Sequence, residues 1–299
     1  MVSLSNGLRV GTGADRRLAT MQAQIPPQPV APTLPEPGVP VIDGINWLGM
    51  QTLYVKEVRR FFKVQMQTIW APAITTLMFL AIFTLALGNA KGEVLGFPYS
   101  TFLAPGLIIM GMTQNAFQNS MSSIIIGKVQ GTIVDVLMPP LSHGELLACY
   151  VAGAVTRAWA VGLAVWAAML LWPGVSVSVA NPLQVLLFGT LGSLLLGLLG
   201  VLTGIWADKF DHGAAVTNFV VQPLTLLSGT FYAIDRLPPG MQAVSRANPF
   251  FYMIDGFRAG FIGVAEAPLW LGAGIVGGLC VLLWALAYVL LKSGWKLRA

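Results

Sequence analysis

Hydrogen-bonding side chains cluster within one apolar stretch of the sequence, residues 99–127, which contains no charged residue. The chemistry open to these amides and hydroxyls is hydrogen bonding, either to a solute that passes along them or to neighbouring helices. On a helix, Asn115, Asn119 and Ser122 lie on one face, because residues three and four positions apart are neighbours. Both interpretations remain open. If the cluster lines a transport path, we expect its wall to contain Met112, Asn115, Phe117, Gln118 and Asn119.

Motifs for covalent or nucleotide chemistry are missing from the sequence. There is no Gly-x-x-x-x-Gly-Lys-Ser/Thr phosphate loop, so the chain cannot by itself bind ATP in the manner of P-loop proteins. The two histidines, His143 and His212, stand in different loops without a metal-binding spacing. The two cysteines, Cys149 and Cys280, have the spacing of neither a metal site nor a disulfide framework. The sequence therefore predicts a chain without catalytic residues, cofactor or metal of its own.

The elements that must position the polar cluster are membrane-spanning helices. Of the 299 residues, 56% are hydrophobic and only 10% are charged. A helix rises about 1.5 Å per residue, so about 20 mostly apolar residues cross a hydrocarbon core about 30 Å thick. Residues 64–87, 99–127, 213–234 and 267–291 are uncharged, and residues 146–207 supply two further spans because Pro173 and Pro182 interrupt them. The sequence predicts an all-α membrane protein with six transmembrane helices.

Residues 1–45 differ from the rest of the chain, with seven prolines between residues 26 and 40. This composition predicts a disordered cytoplasmic tail, while residues 46–299 form the transmembrane domain. Lys and Arg near spans are retained in the cytoplasm, and with the N-terminus inside the inner flanks carry nine basic residues and the outer segments four. Six spans then place both termini in the cytoplasm. The basic residues flank spans and form no separate patch, so no nucleic acid partner is expected.

An amphipathic helix is predicted from Asn46, its N-cap, to Lys63. Its apolar and aromatic side chains recur every three or four residues, and its charged side chains occupy other faces. The apolar set is Trp47, Met50, Tyr54, Val58 and Phe61, and the charged set is Lys56, Glu57, Arg59, Arg60 and Lys63. We interpret it as an interfacial helix in the cytoplasmic headgroup layer. The alternative is a cytoplasmic extension of the first span.

The segment 128–145, expected inside the cell, has its own helical pattern. Val129, Ile133 and Leu137 stand at helical spacing, and the pair Pro139 and Pro140 ends that helix. Ser142 and Glu145 then form a Ser-x-x-Glu capping box for the third span. A short helix of this kind can transmit a push from a partner protein docked beneath it. The alternative is an amphipathic turn that rests on the membrane surface.

The segment 237–266, expected outside the cell, is aromatic and apolar but contains charges and the break at Asn248 and Pro249. A pair of short helices that dip into the outer leaflet and return fits both properties. Asp255 and Arg258 are three positions apart and could pair on one helix face. The segment either shapes the exit of a transport path or forms an aromatic belt. In the third span, Arg157 should face protein or water because a lipid-facing charge is costly. The alternative is that this helix starts well below the membrane and Arg157 snorkels to the headgroup layer.

Several of these segments together resemble the ABC-2-type transporter permeases. The resemblance is carried, in this order, by the basic amphipathic helix, residues 104–107 (Ala-Pro-Gly-Leu), residues 138–142 (Met-Pro-Pro-Leu-Ser), and residues 248–258. The last run, Asn-Pro-Phe-Phe-Tyr-Met-Ile-Asp-Gly-Phe-Arg, is the most specific and includes Asn248, Pro249, Tyr252, Asp255 and Arg258. The resemblance covers residues 46–299, and the proline-rich tail has no counterpart in it.

The resemblance implies a half-size permease of the bacterial inner membrane that forms a dimer, taken here as a homodimer, and engages two separately encoded ATPase subunits. Those subunits would hold the ATP and magnesium. The segment 128–145 would be the coupling helix and the segment 237–266 the outer re-entrant helices. We expect export of an amphipathic small molecule or lipid. The alternatives are export of lipid-linked polysaccharide, an ATP-independent secondary transporter, and a structural membrane protein.

Overall fold

The structure, a computed structural model, describes residues 44–91, 93–172, 175 and 177–297. The predicted proline-rich tail therefore lies almost entirely outside the described residues, as do Pro173 and Gly174 of the predicted break after the third span. The described chain is almost entirely helical, apart from one short hairpin and the connecting turns. This confirms the predicted all-α class.

The first half of the chain forms five helices and the hairpin. A π-helical turn, Met66–Trp70, precedes the second helix, and the hairpin pairs Glu93 with Pro98 in antiparallel register. The elements are α1 (Trp47–Lys63), α2 (Ala71–Lys91), β1 (Glu93–Val94), β2 (Phe97–Pro98), α3 (Tyr99–Val129), α4 (Ile133–Leu137) and α5 (His143–Leu170).

The second half contains six further helices. A second π-helical turn, Thr217–Val221, joins the seventh and eighth helices, and a 3₁₀ turn, Ile234–Arg236, follows them. The helices are α6 (Pro182–Trp206), α7 (Phe210–Val216), α8 (Gln222–Leu226), α9 (Pro239–Ala247), α10 (Pro249–Ile262) and α11 (Leu269–Ser293). Asn181 caps α6 by accepting hydrogen bonds from the N–H groups of Leu183 and Gln184, so this helix begins at the predicted interruption by Pro182.

Four helical segments of the described chain are long and apolar enough to cross a membrane: Met66–Ala86, α5, α6 and α11. Helix α3 has 31 residues and a length of about 46 Å, but its polar cluster makes it less apolar than these four. The predicted fifth span is divided among α7, the second π-helical turn and α8. An all-α membrane protein is thus confirmed, and the count of six spans stays a prediction.

Helix α3 lies at the centre of the bundle and packs against α2, α5, α6 and α10. It is buried along most of its length, from Tyr99 to Ile125, although it contains Pro105. Its closest neighbour is α6, which meets it with a face of small residues. At Gly200, an added Cβ atom would overlap the backbone carbonyl of Phe117, so the two helices approach at backbone distance.

Replacing Gly200 with Val is expected to disrupt the bundle. The new side chain would meet backbone, which cannot move aside like a flexible side chain, so we expect a loss of at least about 2 kcal/mol in the free energy of unfolding. Gly278→Val in α11 is the matched control, because nothing lies within 4 Å of a Cβ atom added there. Thermal unfolding of the detergent-solubilised variants measures the difference. Equal melting temperatures for the two variants would contradict the close packing of α3 on α6.

Helix α1 has the predicted bounds and N-cap, since Asn46 accepts a hydrogen bond from the N–H of Gly49 at 2.9 Å. Its buried face differs from the prediction. Trp47 is 70% exposed, whereas Glu57, assigned to a polar face, is completely buried between Leu53 and Phe61. The hydrogen-bond partners of Glu57, described below, allow this burial. The position of α1 in the headgroup layer stays a prediction.

The predicted stripe in the segment 128–145 does not lie on one helix. Val129 is the last residue of α3, and the short helix α4 begins only at Ile133. Between them Gly131 has φ +72°, a left-handed conformation that favours glycine and interrupts the helix. The predicted capping box is confirmed: Ser142 Oγ accepts from the N–H of Glu145, and Glu145 accepts from the N–H of Ser142.

The predicted pair of short helices before the last span is present as α9 and α10, separated at Asn248. Helix α10 has 14 residues and is about 21 Å long, too short to cross a hydrocarbon core of about 30 Å. It is buried by packing against α3, α6 and α11. Protein therefore covers its backbone, as a re-entrant helix requires, while its location at the outer face stays a prediction.

Candidate transport path and coupling surface

A cavity of about 570 Å³ lies beside the middle of α3. Its walls come from α2, α3, α5, both π-helical turns and α8, and they combine apolar with polar side chains. The larger polar groups that line it are Gln67, Gln114, Asn115, Gln118, Arg157 and Gln222. Arg157 thus faces protein and the cavity, as predicted for a charge within a span.

The residues predicted to line a transport path do not all line the same cavity. Asn115, Phe117 and Gln118 line the large cavity. Met112 lines a separate apolar cavity of about 230 Å³, which it shares with Trp159 and other apolar side chains. Asn119 is fully buried and lines neither cavity, because its backbone carbonyl and side-chain oxygen accept hydrogen bonds from Arg60 at 2.8 and 3.1 Å.

A buried polar network joins α1 to α3. Arg60 Nη2 lies 3.0 Å from Glu57 Oε2, and Ser123 Oγ donates to Glu57 Oε1 at 2.7 Å. Arg60 Nη1 also donates to Ser122 Oγ at 3.1 Å. Part of the polar cluster in α3 therefore bonds to a neighbouring helix, while Asn115 and Gln118 line the cavity. Sequence reasoning missed Glu57, although its position four residues after Leu53 and four before Phe61 places it on the buried face.

Glu57→Ala is expected to weaken the attachment of α1. It removes the acceptor of Ser123 and the carboxylate partner of Arg60, whose side chain is only 26% exposed. We expect a loss of about 2 kcal/mol in the free energy of unfolding, less than for a fully buried pair because solvent reaches Arg60. Lys56→Ala, an exposed change on the same helix, is the control and should lose no more than about 0.5 kcal/mol. Chemical or thermal unfolding measures both, and equal losses would refute the structural role of Glu57.

A second buried network holds the segment before the last span, and its ion pair differs from the one that helical spacing indicates. Arg258 pairs with Glu266, at 3.2 Å between Nη1 and Oε1, and not with Asp255. Asp255 instead accepts hydrogen bonds from the backbone N–H groups of Glu266 and Ala267, each at 3.0 Å. The turn at Gly263, with φ +76°, ends α10 and is followed by the loop that carries Glu266 back to Arg258. Helical spacing cannot predict this contact, because it is formed by a loop that folds back onto the helix.

Arg258 has further contacts that explain its burial. It donates to the backbone carbonyl of Gly229, and its guanidinium carbon lies 3.9 Å from the centre of the Phe102 ring. Glu266 also accepts from the N–H of Ile234 at 2.7 Å. One buried ion pair therefore connects α10, α3 and the loop after α8.

The start of α10 is fastened to the end of α8. Asn248 caps α10 by accepting from the N–H of Phe250 at 3.0 Å, and Pro249 occupies the first helical position. The Asn248 amide donates to the carbonyl of Leu224 at 2.7 Å and to Ser228 Oγ at 2.8 Å. Tyr252, one turn further, lies against Gly272 of α11.

Helix α4 presents an apolar surface. None of its residues is buried, and Val134, Leu137 and Met138 are 53%, 37% and 76% exposed. Ile133 faces inward and packs near Gly127 of α3. Pro139 and Pro140 follow the helix and prevent its continuation. We call Val134, Leu137 and Met138 the apolar surface of α4.

Hydrogen bonds fasten the chain immediately before and after α4. On one side, Lys128 Nζ donates to the carbonyls of Ile205 and Ala207 at the end of α6, both at 2.8 Å. On the other side, Asn46 donates from its side chain to the carbonyl of Pro140 at 3.2 Å and from its backbone to Glu145 at 2.9 Å. The chain on either side of α4 is therefore hydrogen-bonded to α1 and to the end of α6.

The loop after α6 is also bound to the end of the chain. Lys296 Nζ donates to Asp208 at 3.0 Å and to the carbonyl of Trp206 at 3.0 Å. The hydrogen bond from Lys296, together with the charges of Lys296 and Lys128, holds the pKa of Asp208 below its usual value. Asp208 thus stays ionised at neutral pH and keeps this attachment.

Within the described ranges, no group of three or more His, Cys, Asp or Glu side chains is placed to hold a metal ion. The cavity instead offers amide, hydroxyl and guanidinium groups, which can form hydrogen bonds to a solute. A bundle of membrane-length helices around such a cavity defines a multi-pass membrane transport protein.

The chain belongs to the ABC-2 type transporter family, because the sequence model of that family matches residues 49–262. It is 36% identical over 255 residues to the inner membrane transport permease YadH of Escherichia coli K12, an alignment that covers 85% of this chain and 99% of that protein. It is 26% identical over 238 residues to nodulation protein J of Rhizobium leguminosarum bv. viciae, covering 78% of this chain and 88% of that protein. A nodulation protein J from Rhizobium meliloti is also 26% identical, over 242 residues.

These similarities confirm the resemblance seen in the sequence. The protein is a multi-pass inner membrane protein and a transmembrane transport subunit, which is a non-enzymatic role. Membership of the family implies association with ABC ATPase subunits.

Proposed function

We propose that this chain is the transmembrane subunit of an ATP-driven exporter that moves an amphipathic small molecule or lipid out of the cytoplasm or the inner leaflet. The observation that carries the proposal is the position of α3. This continuous helix has the apolar surface of α4 next to one end and the wall of the large cavity at its middle. It therefore connects a surface for a partner protein to a site for a transported molecule.

The proposed cycle is mechanical. ATP and magnesium bind to the partner ATPase, and closure of the ATPase pushes on Val134, Leu137 and Met138. Because Ile133 of α4 packs near Gly127 at the end of α3, the push reaches α3, the helix that carries Asn115 and Gln118. The cavity must bind its ligand more weakly after this shift. A ligand is coupled to a conformational change only if its affinity differs between the two conformations.

The proposed topology has six spans, with α3 as the second and the segment from α7 to α8 as the fifth. Both termini lie in the cytoplasm, in agreement with the excess of basic residues in the inner flanks. The α4 surface then faces the cytoplasm, and α9 and α10 form the outer re-entrant segment. The working assembly contains two copies of this chain and two ATPase subunits.

The nature of the cavity walls supports an amphipathic substrate. Gln114, Asn115 and Gln118 offer hydrogen bonds, whereas Phe79 and Met110 offer apolar contact. A molecule with one polar and one apolar part satisfies both kinds of wall.

The test is co-expression with a candidate ABC ATPase partner, followed by reconstitution in lipid vesicles. We expect ATP turnover that rises when the correct amphiphile is added, together with ATP-dependent movement of that amphiphile across the vesicle membrane. Movement against a gradient by this chain alone, with no ATPase present, would overturn the proposal.

A further inference from the structure

We infer that Arg157 forms an anion-binding site in the large cavity, which holds the negatively charged headgroup of an amphipathic ligand. The inference rests on the proposed function of the cavity as a transport site, and it narrows the substrate class from amphiphiles in general to anionic ones.

The position of Arg157 is the first argument. It lies 14 residues after the start of the 28-residue helix α5, about 21 Å along a helix of about 42 Å. This is too far from either end for the side chain to reach a headgroup layer easily, yet the guanidinium borders the cavity. A charge at this depth is expected to face a functional cavity or a partner group.

The unused donors of Arg157 are the second argument. A guanidinium carries five N–H donors, and here Nη2 makes one hydrogen bond, to Asn115 Oδ1 at 2.8 Å. The Nε atom is buried without a partner. In the same cavity, the amide nitrogen of Gln114 is also buried without a partner. Neither nitrogen has surface that a ligand in the cavity can reach, so the terminal Nη atoms are the donors that Arg157 offers there, and Nη1 makes no hydrogen bond within the described chain.

Charge balance is the third argument. Arg60 pairs with Glu57, and Arg258 pairs with Glu266. Among the described residues, no carboxylate lies within ion-pair distance of Arg157, and no acidic side chain lines the cavity. The cavity thus contains an uncompensated positive charge. Guanidinium groups bind the oxyanions of phosphates, sulfates and carboxylates through paired hydrogen bonds, so an oxyanion is the ligand chemistry that fits.

The apolar part of the cavity indicates that the oxyanion belongs to an amphiphile. Phe79, Leu107 and Met110 line the same space and offer no hydrogen bonds to a free ion. Phe79 is also 40% exposed on α2, and Ile82, three residues further along the same helix, is 56% exposed. An alkyl chain attached to the anion can cover these apolar side chains. An inorganic anion cannot.

The experiment measures ligand binding to the purified full-length protein in a neutral detergent by titration calorimetry. The probes are dioctanoylphosphatidylglycerol, which is anionic, dioctanoylphosphatidylcholine, which has the same chains and no net charge, and inorganic phosphate. We expect the wild-type protein to bind the anionic lipid about tenfold or more tighter than the zwitterionic one, and inorganic phosphate more weakly than either.

Arg157→Gln should reduce this preference to less than about twofold, and Arg157→Lys should retain part of it because the positive charge remains. Arg246→Gln is the matched control, because it removes the same charge from an exposed pair with Asp235 and should leave the preference unchanged. Monodisperse elution and an unchanged melting temperature establish that each variant is folded.

An undiminished preference in Arg157→Gln would overturn the inference, and so would inorganic phosphate that binds as tightly as the anionic lipid. The binding assay needs no ATPase, so its result is independent of the proposed function. If the site binds the anionic lipid but no amphiphile stimulates the ATPase, the proposed function fails and the site stands. If ATP-driven transport occurs but Arg157→Gln changes neither binding nor transport, the site fails and the function stands.

Discussion

Leu137→Asp is expected to separate transport from ATP hydrolysis while the permease stays folded. Leu137 belongs to the apolar surface of α4, and a carboxylate placed there would be buried without a partner when the ATPase docks. Burying an unpaired carboxylate costs more than about 2 kcal/mol, so we expect the affinity for the ATPase to fall about 30-fold or more. The fold should survive because no residue of α4 is buried within this chain.

The measurement is co-purification with the ATPase and ATP-dependent transport in vesicles, together with the melting temperature of the permease alone. Leu137→Met is the control, since it conserves volume and apolar character and should keep complex formation and transport. A Leu137→Asp variant that forms the complex and transports normally would refute the assignment of α4 as the coupling surface. A variant that fails to fold would instead show that α4 supports the bundle.

Glu266→Ala is expected to be the most destabilising of the substitutions considered. It leaves Arg258, whose side chain is only 1% exposed, without its carboxylate, and it leaves the N–H of Ile234 without its acceptor. Removing one partner of a buried ion pair typically costs about 3 to 5 kcal/mol because the remaining charge stays buried. We expect the variant to unfold at a much lower temperature or to be degraded in the cell.

The control for this prediction is Asp235→Ala, which breaks the exposed ion pair with Arg246. Exposed pairs contribute about 0 to 1 kcal/mol, so the melting temperature should hardly change. The two variants are compared by thermal unfolding in detergent and by their yield from the membrane. Similar melting temperatures would show that the Arg258 and Glu266 pair does not hold the segment before the last span.

The features that could be predicted from the sequence depend on local rules. The capping box of Ser142 and Glu145 and the N-cap at Asn46 follow from spacings of three residues along the chain. The break at Asn248 follows from the proline after it, and the apolar stretches follow from the thickness of a bilayer. Arg157 could be assigned to a protein or water environment because lipid does not tolerate an unpaired charge.

The features that could not be predicted depend on contacts between distant parts of the chain. The burial of Glu57 could not be predicted, because it depends on a hydrogen bond from Ser123, which lies 66 residues away in the sequence. Asp255 was paired with Arg258 by helical spacing, but the loop after α10 brings Glu266 to Arg258 instead. Along α3, Asn115 and Asn119 share a face, and only the position of Arg60 decides that Asn119 is covered while Asn115 borders the cavity.

The backbone contact at Gly200 has a consequence for how the cavity changes shape. Helices α3 and α6 touch at backbone distance there, and Lys128 ties their ends together, so neither can slide along the other. The two helices therefore move as one rigid body, in which Asn115 and Gln118 keep a constant distance from α6. A change in the volume of the large cavity then requires movement of its other walls, which are α2 and the segment from α7 to α8, relative to this pair of helices.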